Sequence, residues 1–354
     1  MDLKQFEIDK DYIKNVYDNC SYNKLIIEYY RRYCIENGNT NTFKNKINSI
    51  DTCNKYWQID RYNYSQIKDF KRTNLCKDKF CNNCKKVKQA TRMSKYIPEL
   101  EQYKDNLYHL TLTVPNVVGE DLKETIRKMS KCFRKLIRCF KENYISFVDF
   151  NKYGYKGAVR SLEITFNGNS YHPHYHCALV FDNLTLDKNI KNTYSIDFNH
   201  NRGDKLFSKF EIQVQKIWRM IYDDIPLNSF NYDNLELGYS CNCDKFRDND
   251  YAELFKYMTK ATNELDNPLT YDNFLTLYRS TYLIKQIQGY GCLYRINDKD
   301  LDDEVDKVYC DILSFLLTNE TPDDICEKPI DLLNDNHYKL ISRKKIYSYL
   351  RDLD

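Results

Sequence analysis

The sequence predicts an α+β fold, in which a central antiparallel β-sheet is flanked by helices and preceded by a cysteine-rich element. Residues 159–166 and 171–181 both have the composition of buried strands, and only four residues, 167–170, separate them. A connection this short joins two antiparallel strands as a hairpin. Longer segments with apolar residues at helical spacing lie before and after this hairpin.

The remaining elements follow from the spacing of apolar residues and from turn residues. Four segments are predicted to be helical: 22–35, 120–142, 210–221 and 250–265. Two further segments are predicted to be strands: 108–114, which ends at a proline, and 284–296, which contains two glycines. Together they predict four divisions: a helical N-terminal segment 1–50, a cysteine-rich segment 51–100, a sheet-bearing domain 101–296 and an acidic helical segment 297–354.

The charge is distributed unevenly along the chain. The whole chain has a formal net charge of +3, but residues 297–336 contain thirteen acidic and only three basic side chains. The body of the chain is therefore basic, which fits a polyanionic partner. The mean hydropathy is −0.73 and no apolar run is long enough to span a membrane, so we expect a cytoplasmic protein with no membrane partner.

Three histidines, His172, His174 and His176, occupy alternate positions at the start of the predicted strand 171–181. Because side chains alternate between the faces of a strand, His174 and His176 point the same way and lie close enough to share one metal ion. Imidazole, completed by a carboxylate and water, suits a catalytic transition metal or divalent ion. The alternative is a set of hydrogen-bonded core histidines, but three at period two favour a metal site.

The cysteines predict a second metal site. Cys81 and Cys84 form a Cys-x2-Cys knuckle suited to tetrahedral zinc, and Cys76 and Cys53 could complete four sulfur ligands. The fourth ligand is open, because Cys34 and Cys20 are also available. A redox pair and unrelated buried thiols are the competing interpretations. A run without acidic residues follows and is a candidate for phosphate contacts; its cations are Lys85, Lys86, Lys88, Arg92 and Lys95.

The predicted helix 250–265 carries groups suited to attack on a phosphodiester. Glu253 and Tyr257 are four residues apart and share a helical face. Lys260 follows Tyr257 by three residues, so its side chain can reach the same face. A tyrosine can act as the nucleophile that forms a covalent phosphotyrosine. An ordinary amphipathic helix with charged surface residues is the alternative. Tyr251 is a poor rival, because six residues place it about 240° around the helix from Tyr257.

Taken in their order along the chain, these motifs resemble those of the HUH-endonuclease replication initiators. The closest branch is the single-tyrosine Rep proteins of small rolling-circle plasmids in Gram-positive bacteria. The resemblance covers residues from about 50 to 296 and includes the cysteine cluster. Its motifs are residues 110–116, 162–165, 172–176, the Glu253/Tyr257/Lys260 set and 286–294.

The resemblance implies a metal site and an HUH-endonuclease fold for residues 101–296. His174 and His176 would bind a Mg2+ or Mn2+ ion, with Glu163 on the neighbouring strand as a third ligand. The role of His172 stays open between ligand, support of a ligand and DNA contact. We expect His109 to pack in the core rather than to bind the metal.

The resemblance also implies a cleavage mechanism. Tyr257 would cut one strand at the origin, keep the 5′ phosphate and free a 3′ hydroxyl that primes synthesis. Glu253 stands where this branch keeps a carboxylate, and it would activate water to release the enzyme at termination, while Lys260 would position the phosphate. The basic pair that often precedes the closing strand is replaced here by Ile284 and Lys285, which leaves that contact in doubt.

We therefore expect a plasmid rolling-circle replication initiator that nicks origin DNA through a phosphotyrosine intermediate. Its partners would be duplex and single-stranded origin DNA, with a host helicase and polymerase. An HUH relaxase or transposase is the alternative within the same fold. A non-catalytic, zinc-dependent DNA-binding regulator is the alternative from another class, but it leaves the histidine, glutamate and tyrosine motifs without a purpose.

Overall fold

The computed structural model describes residues 10–38, 43–53, 56–62, 66–73, 75–141, 144–191, 206–255, 269–297 and 338–342. The chain divides into two compact units, one formed by residues 1–94 and 299–354 and the other by residues 95–298. The predicted segment 101–296 lies wholly in the second unit. Among the described residues, no helix is both long and apolar enough to cross a membrane.

Eight α-helices lie in the described residues. They are α1 (Lys10–Glu36), α2 (Lys44–Thr52), α3 (Asn82–Glu101), α4 (Leu122–Lys141), α5 (Lys209–Tyr222), α6 (Ser229–Asn234), α7 (Asp248–Phe255) and α8 (Tyr271–Ser280). The described strands are β1 (Tyr56–Tyr62), β2 (Gln66–Thr73), β3 (Leu107–Thr113), β4 (Tyr155–Phe166), β5 (Tyr171–Phe181), β6 (Ile190–Lys191), β7 (Leu206–Phe207), β8 (Cys241–Lys245), β9 (Ile287–Gly291) and β10 (Tyr338–Ser342). The predicted α+β class is confirmed.

A five-stranded antiparallel sheet in the order β8-β3-β5-β4-β9 forms the centre of the second unit. β5 is the middle strand, and its long antiparallel pairing with β4 confirms the predicted hairpin. Residues 171–181 are almost all buried, because β5 has a neighbouring strand on both sides and side chains packed against both faces.

The hydrophobic core of this unit lies between one face of the sheet and helices α4 and α5. Tyr175 and Phe181 of β5 project towards these helices, where Phe133 and Phe140 of α4 meet them edge to face. From α5, Trp218 is fully buried, and its indole N–H donates a hydrogen bond to the backbone oxygen at the end of β3, with 2.7 Å between nitrogen and oxygen. This bond satisfies the polar group of a side chain that is otherwise apolar.

The first unit contains a smaller antiparallel sheet in the order β10-β1-β2. Its third strand, β10, comes from the far end of the chain and pairs with β1 so that Tyr56 lies opposite Ser342. Helices α1 and α2 and the first part of α3 belong to the same unit.

The structure differs from the sequence prediction in several helix and strand assignments. The C-terminal segment 297–354 was predicted to be helical, but residues 338–342 form β10, because their backbone groups pair with β1. The strand predicted at 284–296 ends at Gly291, whose φ of +61° turns the chain away from the sheet. Of the helix predicted at 250–265, α7 accounts for the residues up to Phe255, and the rest lies outside the described residues.

The aromatic core predicts a large stability difference between two phenylalanines. Phe181 is fully buried and contacts the rings of five other aromatic residues, whereas Phe230 on α6 is 74% exposed. We expect Phe181→Ala to lower the free energy of unfolding by about 3–5 kcal/mol, because a cavity replaces the ring. Phe230→Ala should change it by less than about 0.5 kcal/mol. Urea denaturation followed by circular dichroism measures both, and equal effects would contradict this packing.

Candidate functional site

The first candidate site lies on the sheet face opposite α4 and α5. Glu163 of β4 is directly opposite His174 of β5, and His176 is two residues further along the same face. The Nε2 atoms of His174 and His176 lie 3.4 and 3.0 Å from one oxygen, Oε2, of Glu163. One ligand atom from each of these three residues lies within 4.8 Å of the other two. The structure thus brings together the three residues that the sequence proposed as metal ligands.

Each of the two imidazoles has its other ring nitrogen hydrogen-bonded elsewhere. The Nδ1 atom of His174 lies 3.1 Å from the backbone oxygen of His172, which can only accept a hydrogen bond. Nδ1 of His174 therefore carries the hydrogen, and the lone pair of its Nε2 points towards Glu163. Burial lowers the pKa of His176, which favours the neutral ring that a metal ion needs. Two imidazole nitrogens and a carboxylate oxygen could hold one divalent ion.

His172 lies on the same face of β5 but outside this convergence. Its ring stacks on that of His174 with 5.0 Å between centroids. Burial and the neighbouring His174 lower the pKa of His172 to about 4, so the ring is neutral at physiological pH. Among the described residues, His172 is not part of the three-residue donor set.

His109 on β3 has a larger part in this site than the packing role expected from the sequence. Its Nε2 lies 3.2 Å from Nδ1 of His176, and its Nδ1 lies 2.9 Å from Oδ1 of Asp250 on α7. The bond from His109 helps to hold the pKa of Asp250 below its usual value, although burial acts in the opposite direction. The sequence reasoning missed Asp250 altogether. Its spacing of three residues from Glu253 and seven from Tyr257 was the available signal, because these positions share one helical face.

Of the two tyrosines that the sequence compared, Tyr251 lies on the described helix α7. Tyr251 is buried, and its hydroxyl donates a 2.7 Å hydrogen bond to Oε1 of Glu101. Burial and this carboxylate raise the pKa of Tyr251, which makes the phenol a poor nucleophile. Glu253 is half-buried on the same helix. Tyr257 and Lys260 lie outside the described residues, so their roles stay predictions.

The second candidate site is a cysteine cluster in the first unit. The Sγ atom of Cys53, after α2, lies 3.6 Å from that of Cys81 and 3.5 Å from that of Cys84, and Cys76 lies 3.5 Å from Cys84. Four thiolates bound at about 2.3 Å around a tetrahedral zinc ion would be about 3.8 Å apart. The four cysteines proposed from the sequence therefore converge at separations close to those that zinc requires.

Hydrogen-bond donors also point at these sulfur atoms. The side-chain amide of Asn23 on α1 donates to Sγ of Cys81 at 3.1 Å, and the backbone N–H of Cys76 donates to Sγ of Cys53 at 3.4 Å. The neighbouring sulfurs lower the pKa of Cys81 but raise that of Cys84, so these two thiols do not ionise together without a nearby positive charge. A bound divalent ion would supply that positive charge.

The basic run at the start of α3 is less exposed than a DNA-contact surface would be. Lys85 and Arg92 are only 5% and 2% exposed, and burial lowers the pKa of Lys85 to about 7. Their burial does not favour the phosphate contacts proposed for them. Lys88 and Lys95 are half-buried, and the side chain of Lys86 lies outside the described residues. For these three residues, DNA contact stays a prediction.

Comparison with known proteins supports the resemblance to replication proteins. Residues 67–198 match the model of a family described as replication protein. A protein named Protein rep from Staphylococcus aureus is 31% identical over 39% of this chain and 58% of its own length. Proteins of the same name from Streptococcus pneumoniae serotype 2 and Bacillus amyloliquefaciens are 30% and 36% identical, over 38% and 32% of this chain and 41% and 33% of theirs.

These matches confirm the resemblance to replication proteins, which for the family model covers residues 67–198. The matched range includes Glu163, His174 and His176, but it ends before Glu253. The chain spans about half the length of the curated relatives it matches. No solved structure matches it significantly. The single-tyrosine branch stays a prediction.

The cysteine geometry predicts one structural zinc ion. We expect the purified protein to contain one equivalent of zinc, and Cys81→Ser to remove it and unfold the first unit, because zinc binding contributes to folding free energy. Cys34→Ser is the matched control, since Cys34 is also buried in this unit but is not part of the cluster. Metal analysis by mass spectrometry measures both. Zinc retained in full by Cys81→Ser, or lost from Cys34→Ser, would contradict this ligand set.

Proposed function

We propose that this chain, which carries a replication-protein domain, is a plasmid replication initiator that nicks one strand of origin DNA. The observation that carries the proposal is the convergence of Glu163, His174 and His176 on a sheet face that also contacts α7, the helix that leads towards Tyr257. Metal-assisted attack by a side chain on a phosphodiester needs these two components, an ion and a nucleophile, close together.

The three ligands would hold Mn2+ or Mg2+. A bound ion would polarise a non-bridging oxygen of the scissile phosphate and offset the charge that develops during attack. Mg2+ prefers oxygen ligands, whereas imidazole nitrogen suits transition metals. With two nitrogens from His174 and His176 and one oxygen from Glu163, the donor set favours Mn2+ over Mg2+.

Tyr257 is the proposed nucleophile. On the helix predicted to run through residue 257, Asp250, Glu253 and Tyr257 follow each other at intervals of three and four residues and share one face. Asp250 faces the metal site through His109, which supports the same orientation for the two residues that follow it. Lys260 would stabilise the charge of the phosphate.

The cleavage step is a transesterification, in which one P–O bond replaces another. The hydroxyl oxygen of Tyr257 attacks phosphorus and loses its proton, while the 3′ oxygen leaves and takes up a proton. The 5′ phosphate stays on the tyrosine, and the free 3′ hydroxyl can prime synthesis. Attack by a 3′ hydroxyl on the phosphotyrosine reverses the step and rejoins the strand.

The partners of this proposed activity are origin DNA, in duplex and single-stranded form, and the host helicase and polymerase that extend the new 3′ end. The cysteine cluster supports a zinc element in the first unit, in addition to the endonuclease site in the second unit. A relaxase or transposase, the alternative within the same fold, would use the same chemistry on a DNA site other than a replication origin. A non-catalytic zinc-dependent regulator would bind DNA and leave it intact.

Covalent attachment through Tyr257 is the central test. With single-stranded origin DNA and Mn2+, we expect a protein–DNA adduct that Tyr257→Phe abolishes, because the substitution removes the attacking oxygen. Tyr251→Phe, on α7, is the matched control and should still form the adduct, since the hydroxyl of Tyr251 is bound to Glu101. Denaturing gels with end-labelled DNA show the adduct. An adduct in Tyr257→Phe, or intact DNA with the wild-type protein, would refute the assignment.

Glu253 should act only in release of the adduct. A positioned general base typically accelerates a step by about 10²–10⁴-fold, so Glu253→Ala should hydrolyse the adduct slower by that factor and still nick normally. Asp248→Ala provides a matched loss of carboxylate on an exposed position of α7 and should leave both steps unchanged. The lifetime of the isolated adduct measures the effect. Equal lifetimes in wild type and Glu253→Ala would identify Glu253 as an ordinary surface residue.

A further inference from the structure

Four side chains from four different elements lie in one line through the site, with hydrogen-bond distances between neighbouring members. Oδ1 of Asp250 on α7 lies 2.9 Å from Nδ1 of His109 on β3. Nε2 of His109 lies 3.2 Å from Nδ1 of His176 on β5, and Nε2 of His176 lies 3.0 Å from Oε2 of Glu163 on β4. The line therefore enters the metal site through the ring nitrogen of His176 that faces away from the ligand cluster.

The acceptor at the start of this line determines where the hydrogens lie. An ionised carboxylate can only accept, so Nδ1 of His109 carries a hydrogen and donates it to Asp250. With an ion between Nε2 of His176 and Glu163, Nδ1 of His176 would carry its hydrogen and donate it to Nε2 of His109. The Nε2 atom of His176 would then offer the lone pair that a metal ion needs. The other histidine, His174, reaches the same tautomer through a backbone oxygen.

Both His109 and Asp250 are held in place by further contacts. The ring of Phe246 packs edge-on against that of His109, with 5.9 Å between centroids. The second carboxylate oxygen of Asp250, in the first turn of α7, accepts a 2.7 Å hydrogen bond from the backbone N–H of Arg247, the residue before the helix. Because Asp250 is fixed to the helix and His109 to the sheet, the two residues join α7 to the metal ligand.

We propose that His109 and Asp250 are a positioning pair, which fixes the tautomer and the orientation of His176 and ties the helix leading to Tyr257 to the metal site. The pair binds neither the metal nor the DNA. The inference rests on the proposed function, since it assigns a role within that site. Its first consequence is tighter metal binding, because groups that hydrogen-bond to the far nitrogen of a ligand histidine typically contribute about 10–100-fold in affinity.

The test is the Mn2+ dissociation constant of the full-length protein, measured by electron paramagnetic resonance of free Mn2+. His109→Leu removes the acceptor for His176 and should raise the constant by about 10–100-fold. His109→Gln can place an amide oxygen near the position of the lost Nε2 and should restore most of the affinity. Asp248→Ala is the control for loss of a carboxylate from the first turn of α7, and it should bind Mn2+ as the wild type does. Thermal unfolding in a chelator should be similar for all variants, which shows that they fold.

A second measurement separates positioning from direct catalysis. In nicking assays, His109→Leu should need a higher Mn2+ concentration for half-maximal rate but approach the wild-type rate at saturation. A wild-type Mn2+ constant in His109→Leu, or an equal loss in His109→Leu and His109→Gln, would overturn the positioning pair. If the wild-type protein and His174→Ala bind Mn2+ equally weakly, the metal site itself is wrong, and the proposed function fails with it.

Discussion

The register of the β4–β5 hairpin is the constraint on which the candidate catalytic site depends. Glu163 meets His174 and His176 only because β4 and β5 pair with these residues on the same face of the sheet. The turn between the strands fixes this register, since the side-chain oxygen of Asn167 accepts hydrogen bonds from the backbone N–H groups of the next turn residues. A slip by one residue would turn Tyr175 towards the site and bury the imidazoles under α4. The same alternation that builds the apolar core therefore builds the ligand set.

Buried charges on the two faces of the sheet differ in their partners, and the difference indicates their roles. On the core face, the guanidinium of Arg160 lies 4.7 Å from the centre of the Tyr175 ring and donates hydrogen bonds to neighbouring side chains. Glu211 of α5 is fully buried, caps its own helix and pairs with Lys188 at 3.2 Å. These charged groups have partners within the protein, as buried charges need, although Nη1 of Arg160 has no hydrogen-bond partner among the described residues. Glu163 is different in kind, because the atoms that approach its carboxylate are imidazole nitrogens suited to share a cation with it.

Sequence patterns were sufficient for features that depend on local periodicity. Alternation and a four-residue turn predicted the hairpin, and clustered cysteines predicted a sulfur site whose four members converge. Contacts between distant segments were beyond these patterns. His109 and Asp250 are 141 residues apart in the chain, and the pairing of 338–342 with β1 spans most of its length. Burial was also hidden, because a run of cations looks the same whether its side chains face solvent or, as with Lys85 and Arg92, the interior.

Helix α7 is held in place near its start by two hydrogen bonds to other elements. Its first turn is bonded to β3 through Asp250, and its next residue, Tyr251, is bonded to Glu101 at the end of α3. Two successive side chains thus fix both the rotation and the axial position of the helix before it reaches Glu253. In the proposed function, a nucleophile carried on a continuation of this helix would have little freedom to change its distance from the proposed ligands, and reactivity depends steeply on that distance. An anchored helix would therefore suit the proposed chemistry better than a loop, since His176 and the start of α7 are connected through His109 and Asp250.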